Sequence, residues 1–197
     1  MAVVTRTVHP IERESYRILR AQVDTSALPP HTRDVVERVV HTTADPSWLG
    51  DLVCDEAALA AGVAALAAGA PVVTDVTMVA AGITSYPTAC LIGGAADVGL
   101  TRSAAGVRRA ADTYAAGAVW VVGNAPTALS ELLALTRTGR VVPALVVGLP
   151  VGYVGAAEAK AALRATGLPA VSNRSARGGA AVAAAAVNAL LYGDPLA

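Results

Sequence analysis

The chain has 197 residues, of which 54% are hydrophobic and 4% aromatic, and it has no Phe. This composition excludes a disordered chain and favours a single domain over residues 1–197 with a core of small aliphatic side chains. The 15 basic residues balance the 15 acidic ones, which disfavours a general nucleic-acid binder. Lys160 is the only lysine, so nearly all cations are Arg forks suited to carboxylate or phosphate partners.

Three helical segments come first in the chain. Residues 10–22 place a proline at the first helical position, and residues 31–43 carry a valine stripe at helical spacing. Residues 56–68 are rich in alanine and end before Gly69. The first part of the chain is therefore predicted to be helical.

Five short runs that are apolar throughout follow, which is typical of strands buried on both faces. These runs are residues 71–75, 89–93, 118–123, 144–148 and 168–172. Helices are predicted at 102–115, 126–137, 154–165 and 179–191. The alternation predicts an α/β fold, a single three-layer domain with a parallel sheet of about five strands and helices on both faces.

The longest uncharged stretch covers residues 76–96 and is long enough to span a bilayer. Its glycines, its proline and its hydroxyl side chains instead favour a turn between buried elements. Charged residues come too early at the N-terminus for a secretory signal peptide. A cytoplasmic protein without a membrane segment is therefore expected.

Ligands of open α/β sheets bind at the carboxyl ends of the strands, so the loops after the predicted strands are candidate sites. The glycine fingerprints of dinucleotide and phosphate sites are absent, and so is the nucleophile elbow of hydrolases. His9, His31 and His41 lack the spacing of metal ligands with each other or with the cysteines. Neither a metal nor another cofactor is expected.

His41 follows Asp34 and Arg38 at helical spacing, so the three fall near one face. One interpretation is a surface salt bridge between Asp34 and Arg38, with His41 placed favourably at the helix end. The other is a histidine at the edge of a pocket that exchanges a proton near neutral pH. Spacing leaves both open.

The remaining polar candidates also have two interpretations each. Ser15 belongs either to a solvated, charged helix face or to a site. Thr101 is predicted to cap a helix, and Arg102 beside it could bind an anion where the helix dipole favours one. Asp75 could bond a turn backbone or face a ligand, while Asn124 suits a turn between strand and helix.

The glycine-rich segment near the C-terminus is a further candidate. Arg177 precedes Gly178 in a polar loop that either binds an anion or binds nothing. Glu158 and Lys160 lie two apart on one predicted helix, do not face each other, and are predicted to be exposed.

Seven segments together resemble one enzyme family. They read RESYRILRAQVD, RVVHTTAD, APVVTDVTMVAAGI, TRSAAG, VVGNAPTAL, VGLPVGYVGAAEAKAAL and RGGAAVAAAAVNALL. Their order is that of precorrin-8X methylmutase, an enzyme family of cobalamin biosynthesis whose anaerobic counterpart acts on cobalt-precorrin-8. The resemblance covers roughly residues 11–192.

This resemblance implies a single α/β domain and a homodimer with active sites near the subunit interface. It implies an isomerase that needs no cofactor and moves a methyl group from C-11 to C-12 of a tetrapyrrole, giving hydrogenobyrinate or cobyrinate. His41 matches the family's proton donor and acceptor, and Arg38 and Ser15 match residues that contact the substrate.

The implied substrate is a large, mostly apolar macrocycle fringed with carboxylates, which needs an apolar slot, Arg forks and helix N-termini. The further residues expected to contact it are Asp75, Thr101, Arg102, Asn124, Arg177 and Gly178. Two alternatives stay open: a corrinoid-binding or carrier protein without turnover, and an unrelated α/β phosphate binder, which the missing glycine motifs disfavour.

Overall fold

The structure, a computed structural model, describes residues 7–95 and 98–196. Its centre is one six-stranded sheet. The strands are β1 (Leu52–Cys54), β2 (Val72–Thr74), β3 (Thr88–Cys90), β4 (Val119–Val122), β5 (Leu145–Gly148) and β6 (Ala170–Asn173). They lie in the order β1-β6-β5-β4-β2-β3, and every pairing is parallel except that of β1 with β6.

Helices cover both faces of the sheet. They are α1 (Pro10–Gln22), α2 (Pro30–Thr43), α3 (Trp48–Asp51), α4 (Glu56–Ala67), α5 (Thr77–Gly82), α6 (Arg102–Thr113), α7 (Pro126–Arg137), α8 (Ala156–Ala165) and α9 (Ala180–Tyr192). Pro begins α1, α2 and α7 at a position where the missing N–H costs no hydrogen bond.

Two apolar clusters make the layers, and strand alternation divides residues between them. On β4, Val119 and Val121 pack with α2, α4 and α9, whereas Trp120 and Val122 pack with α6, α7 and α8. Because both faces are buried, the strands are apolar throughout. The predicted three-layer α/β domain is confirmed.

The sheet differs from the prediction in having six strands, since the short edge strand β1 was not predicted. Its three residues are too few to show a periodicity, and its antiparallel pairing with β6 is a tertiary contact. The short helices α3 and α5 were also missed, and α5 lies in the uncharged stretch 76–96 that was interpreted as a turn. Among the described residues, no helix is long and apolar enough to cross a membrane.

The direction of α2 brings its end to the carboxyl edge of the sheet. Arg33, near the start of α2, lies 3.7 Å from Asp194, just beyond the end of α9. The two helices are therefore antiparallel, and the last turn of α2 lies toward the start of α9. Since α9 begins after β6, His41 lies at the edge where the parallel strands end.

Candidate functional site

His41 lies in the last turn of α2 and contacts α1 through two residues. Ser15 Oγ is 2.8 Å from His41 Nδ1, and the Tyr16 ring stacks on the imidazole with centroids 4.9 Å apart and planes 28° from parallel. Tyr16 is fully buried, whereas Ser15 and His41 are half-buried. We call Ser15, Tyr16 and His41 the histidine cluster. Of the two interpretations of Ser15, the half-buried bond to His41 excludes the solvated helix face.

Arg38 is almost buried, at 8% exposure, one turn before His41. Its guanidinium lies 3.0 Å from Glu12 on α1, and its Cζ is 5.5 Å from the Tyr16 ring centroid and 5.6 Å from that of Tyr192. The salt bridge to Asp34 considered above is therefore absent, and Glu12 is the acidic partner. A substrate carboxylate that reaches Arg38 has to compete with Glu12.

A second ion pair fixes α1 against α2. Arg20 Nε donates to both oxygens of the buried Glu37 carboxylate, at 3.0 and 3.1 Å, and Nη2 donates to Oε2 at 2.8 Å. Thr25 Oγ1 donates to Oε1 of the same carboxylate at 2.5 Å. The pairs Glu12–Arg38 and Arg20–Glu37 lie on either side of Ser15 along α1. They hold the two helices in the register that brings Ser15 to His41.

The histidine cluster borders a depression of about 150 Å³. Ser15, Ile18, Val40, His41, Ala44 and Pro46 are among the residues that line it. Ile18 is 50% exposed there. Ile11 lies two helical turns earlier on the same face of α1 and is 73% exposed. A drug-sized ligand needs about 300–1,000 Å³, so this depression alone is too small to enclose one.

Asp75 follows β2 and is 2% exposed. Its Oδ1 accepts the N–H of Gly123 at 3.1 Å, and its Oδ2 accepts those of Asn124 and Ala125 at 2.9 and 2.8 Å. Burial raises the pKa of this carboxyl, and the three backbone donors oppose the rise. Its carboxylate thus bonds the turn between β4 and α7, which is one of the two interpretations considered above, and contact with a substrate stays a prediction for Asp75.

The N-termini of α6 and α7 lie side by side at the same edge. Thr101 Oγ1 accepts from the N–H of Ala104, as predicted for a helix cap, and lies 2.7 Å from Thr127 Oγ1. Arg102 begins α6 and is exposed, as is the side chain of Asn124 in the neighbouring turn. This part of the edge combines an exposed cation with two helix N-termini, which suits an anionic group.

Arg177, in the loop between β6 and α9, connects this loop to the segment beyond His41. Its guanidinium donates to Asp45 Oδ2 at 2.5 Å and to Ser47 Oγ at 2.8 Å, and it stacks 4.5 Å from the Trp48 ring centroid. Asp45 lies in sequence between Ala44 and Pro46, which line the depression beside His41, so Arg177 pairs with a neighbour of that depression without lining it.

Gly178 lies against the loop that follows β5. A Cβ added there would be 2.2 Å from the carbonyl oxygen of Leu149 and 2.6 Å from that of Pro150. Only glycine therefore allows this approach of the two loops. Gly178 supports the edge through its backbone, and contact with a substrate stays a prediction for it.

A hydrogen-bonded group beneath this loop was missed by sequence reasoning. Asp51 accepts from the backbone N–H of Arg174 and Ser175, at 3.0 and 2.8 Å, and from the Asn173 side chain at 2.9 Å. Lys160 Nζ donates to Asn173 Oδ1 at 2.7 Å. We call Asp51, Lys160, Asn173, Ser175 and Arg177 the loop network.

The loop network changes two ionisation equilibria. Burial alone would raise the pKa of Asp51, but hydrogen bonds from Ser175, Asn173 and Arg177 outweigh it and hold this pKa at about 2. Burial lowers the pKa of Lys160 to about 8. The expectation that Lys160 is exposed is wrong, because α8 turns it toward β6, where it is 0% exposed.

Within residues 7–95 and 98–196, no three His, Cys, Asp or Glu side chains are grouped as a metal site requires. A larger groove of about 590 Å³ lies between β1, β6, α4 and α8. Gly167 and Pro169, which precede β6, line it, so it lies toward the opposite edge of the sheet. It contains none of the predicted site residues.

The chain matches the sequence model of one protein family, described as Precorrin-8X methylmutase, over residues 10–193. The chain belongs to the precorrin-8X methylmutase family. The prediction of an isomerase of cobalamin biosynthesis is therefore confirmed at the level of the family.

Individual relatives agree with this membership. A precorrin-8X methylmutase of Pseudomonas aeruginosa is 42% identical over 91% of this chain and 93% of its own. A cobalt-precorrin-8 methylmutase of Methanothermobacter thermautotrophicus is 39% identical over 97% of this chain and 96% of its own. The crystal structure of precorrin-8X methylmutase from Thermus thermophilus superposes with a TM-score of 0.85 at 34% identity, covering 93% of this chain and 96% of that chain.

Proposed function

We propose that this methylmutase moves a methyl group from C-11 to C-12 of precorrin-8X or cobalt-precorrin-8, with His41 as proton donor and acceptor. The observation that carries this proposal is the 2.8 Å contact between Ser15 Oγ and His41 Nδ1. This contact fixes the imidazole of His41 against Ser15 at the carboxyl edge of the sheet, where ligands of α/β folds bind.

The chemistry follows from this contact. When Ser15 Oγ accepts a hydrogen bond from Nδ1–H, proton exchange takes place at Nε2. The imidazolium gives a proton to a ring nitrogen of the macrocycle, which promotes migration: the bond from C-11 to the methyl carbon breaks and the bond to C-12 forms. The proton then returns to His41, so the reaction is an isomerisation with no net change in atoms or electrons.

Tyr16 supports this step by fixing the plane of the imidazole. The stacked ring restricts rotation of the His41 side chain, and its full burial keeps its own position fixed. Pre-organisation of this kind reduces the conformational freedom that has to be lost on the way to the transition state.

Cations at the edge bind the carboxylates of the substrate. Arg102 is exposed at the start of α6, and Arg177 pairs with Asp45, whose neighbours Ala44 and Pro46 line the depression. Arg38 reaches a carboxylate by exchanging Glu12 for it. Thr101 and Asn124 also contact the substrate at this edge. Gly178 allows its loop to approach the loop that follows β5.

A homodimer completes the site in this proposal. The depression of about 150 Å³ is too small for a tetrapyrrole, and the exposed Ile11 and Ile18 continue its apolar wall outward along α1. A second copy over this wall would bury both side chains. The cytoplasm is the proposed location.

The variant His41→Asn tests the proposal, because Asn keeps a hydrogen-bond donor but exchanges no proton near neutral pH. Turnover of precorrin-8X, followed by the change in chromophore absorption, is expected to fall about 10²–10⁴-fold. Binding of hydrogenobyrinate should persist, since the apolar wall and the arginines are unchanged.

Two outcomes would contradict the proposal. Near-parental turnover by His41→Asn would show that His41 positions the substrate and that the proton comes from elsewhere. A parent protein that binds the tetrapyrrole with only a stoichiometric spectral shift would instead be a carrier.

A further inference from the structure

Lys160 is a buried cation that the proposed chemistry does not use. It lies on α8 with 0% exposure, and its Nζ donates to Asn173 Oδ1 at 2.7 Å and to the backbone carbonyl of Arg177 at 2.6 Å. Both acceptors are neutral, and they lie at the two ends of the segment 173–177. Lys160 therefore spans the base of the loop between β6 and α9.

Stability does not explain a lysine at this position. Removing an ammonium ion from water disfavours folding, and apolar residues of similar volume are often neutral or stabilising in place of buried ions. The charged groups around Lys160 are Asp51, which favours the ammonium, and Arg164 and Arg177, which oppose it. Burial is the largest influence on its pKa, and it lowers this value.

The other side of the same loop is held by Asp51. Its carboxylate accepts from the N–H groups of Arg174 and Ser175 and from Asn173 Nδ2. Asn173 is thus bonded to Asp51 through its amide nitrogen and to Lys160 through its amide oxygen. The backbone from residue 173 to 177 is fixed from α3 and from α8 together.

The segment that is fixed in this way presents the Arg177 guanidinium. We propose that Lys160 is a positioning residue: it holds the Arg177 carbonyl so that the guanidinium stays on Trp48 and Asp45, beside the depression that His41 borders. This rests on the proposed function, because it takes Arg177 as a contact for substrate carboxylates.

The position of Arg177 can be followed without any substrate, through Trp48. The only other tryptophan is Trp120, so a Trp120→Phe background isolates the Trp48 emission. Trp48 is 3% exposed, and the guanidinium lies 4.5 Å from its ring centroid. Lys160→Met, which keeps the apolar stem, is expected to shift this emission to the red and to increase acrylamide quenching, in the direction that Arg177→Ala also produces.

A matched control separates this effect from general loss of stability. Asn188 donates to the carbonyl of Gly82 at 2.9 Å, and this bond joins α9 to α5 outside the loop network. Asn188→Ala is expected to lower the melting temperature while leaving Trp48 emission unchanged. Should Lys160→Met not fold, Lys160→Gln retains an amide donor of shorter reach, and the same shift is expected in a smaller degree.

The functional consequence is measured by a double-mutant cycle on the affinity for hydrogenobyrinate. Arg177→Ala and Lys160→Met are each expected to weaken binding about tenfold or more, and the double variant should bind no more weakly than Arg177→Ala alone. Turnover of the Lys160→Met variant at saturating precorrin-8X should change less than about threefold, since Lys160 acts on binding through Arg177 and not on the proton transfer.

Three results would overturn the proposal. If Lys160→Met leaves the emission of Trp48 unchanged, Lys160 does not hold Arg177. Additive losses of affinity in the cycle would show that Lys160 acts on binding independently of Arg177. If Arg177→Ala leaves the affinity for hydrogenobyrinate unchanged, Arg177 is not the substrate contact that Lys160 is proposed to position. Failure of the proposed function is seen separately, as absence of precorrin-8X turnover in the parent.

Discussion

The histidine cluster and the loop network both lie at the carboxyl edge of the sheet, yet they are built differently. His41 is half-buried and is held by side chains of one neighbouring helix, through a hydrogen bond to Ser15 and a stacked ring. Asp51 is 9% exposed and accepts both backbone and side-chain donors from a loop more than 120 positions later in the chain.

This difference matches two tasks. A group that exchanges protons has to change charge during the reaction, so it needs a partner that tolerates both states and access to the substrate. A Ser hydroxyl meets the first need because it both donates and accepts. A loop that presents a cation needs the opposite, a fixed backbone, and multiple hydrogen bonds to one carboxylate supply it. Variants of His41 and Ser15 should therefore lose rate, whereas a variant of Asp51 should lose stability.

The largest expected effect on stability belongs to Asp51. Asp51→Ala removes the carboxylate that accepts from the Ser175 N–H and from the buried Asn173 amide and that stabilises the charge of the buried Lys160, so the free energy of unfolding should fall by about 3–5 kcal/mol. Urea unfolding measures this. Asp45→Ala is the control, because this pair with Arg177 is 39% exposed on both sides and should contribute at most about 1 kcal/mol. Equal losses in the two variants would contradict the contrast between the regions.

The Asp51 effect should also depend on pH in a defined direction. Its pKa is about 2 in the fold against an ordinary value of 3.8, so its stabilisation is complete above about pH 4 and is lost as pH falls toward 2. The whole loss corresponds to about 2 kcal/mol, with about half of it reached near pH 3. The difference in unfolding free energy between parent and Asp51→Ala should narrow accordingly. A difference that stays constant from pH 6 to pH 3 would contradict this.

A smaller effect is expected from Ser15→Ala, and it should appear in rate. Loss of the hydrogen bond to Nδ1 frees the imidazole orientation, so turnover should slow by about tenfold while the unfolding free energy changes by about 1 kcal/mol. Stopped-flow absorption of precorrin-8X conversion and urea unfolding measure the two. Ser15→Thr keeps the hydroxyl and serves as the control. A loss of stability without a loss of rate would place Ser15 with the structural residues.

The smallest expected effect concerns Glu12, and it sharpens the role of Arg38. Glu12→Gln keeps the shape of the side chain but removes the charge that pairs with Arg38 at 3.0 Å. If substrate carboxylates displace Glu12, hydrogenobyrinate should bind severalfold more tightly to this variant, because its competitor is weaker. Equilibrium titration of the chromophore measures this. Weaker binding would show that Glu12 holds Arg38 in place and that Arg38 acts by positioning.

The sheet and most helices could be predicted because burial on both faces and capping residues leave local patterns. The site could be predicted only in part from such patterns. Ser15 and His41 are 26 residues apart, and only the packing of α1 on α2 brings them together. Spacing offered Asp34 as one possible partner of Arg38, whereas Glu12 from α1 takes that place. The burial of Lys160 had no local signal, since its partners come from β6 and the following loop.

The burial of Lys160 also determines how the protein reacts with amine reagents. Because this is the only lysine, no side-chain amine of the folded chain is exposed to solvent. Succinimidyl esters and similar labels can therefore reach Nζ only when α8 separates from β6. The rate at which Lys160 is labelled would report the opening of this part of the molecule, and a surface coupled through side-chain amines would capture only chains that have opened.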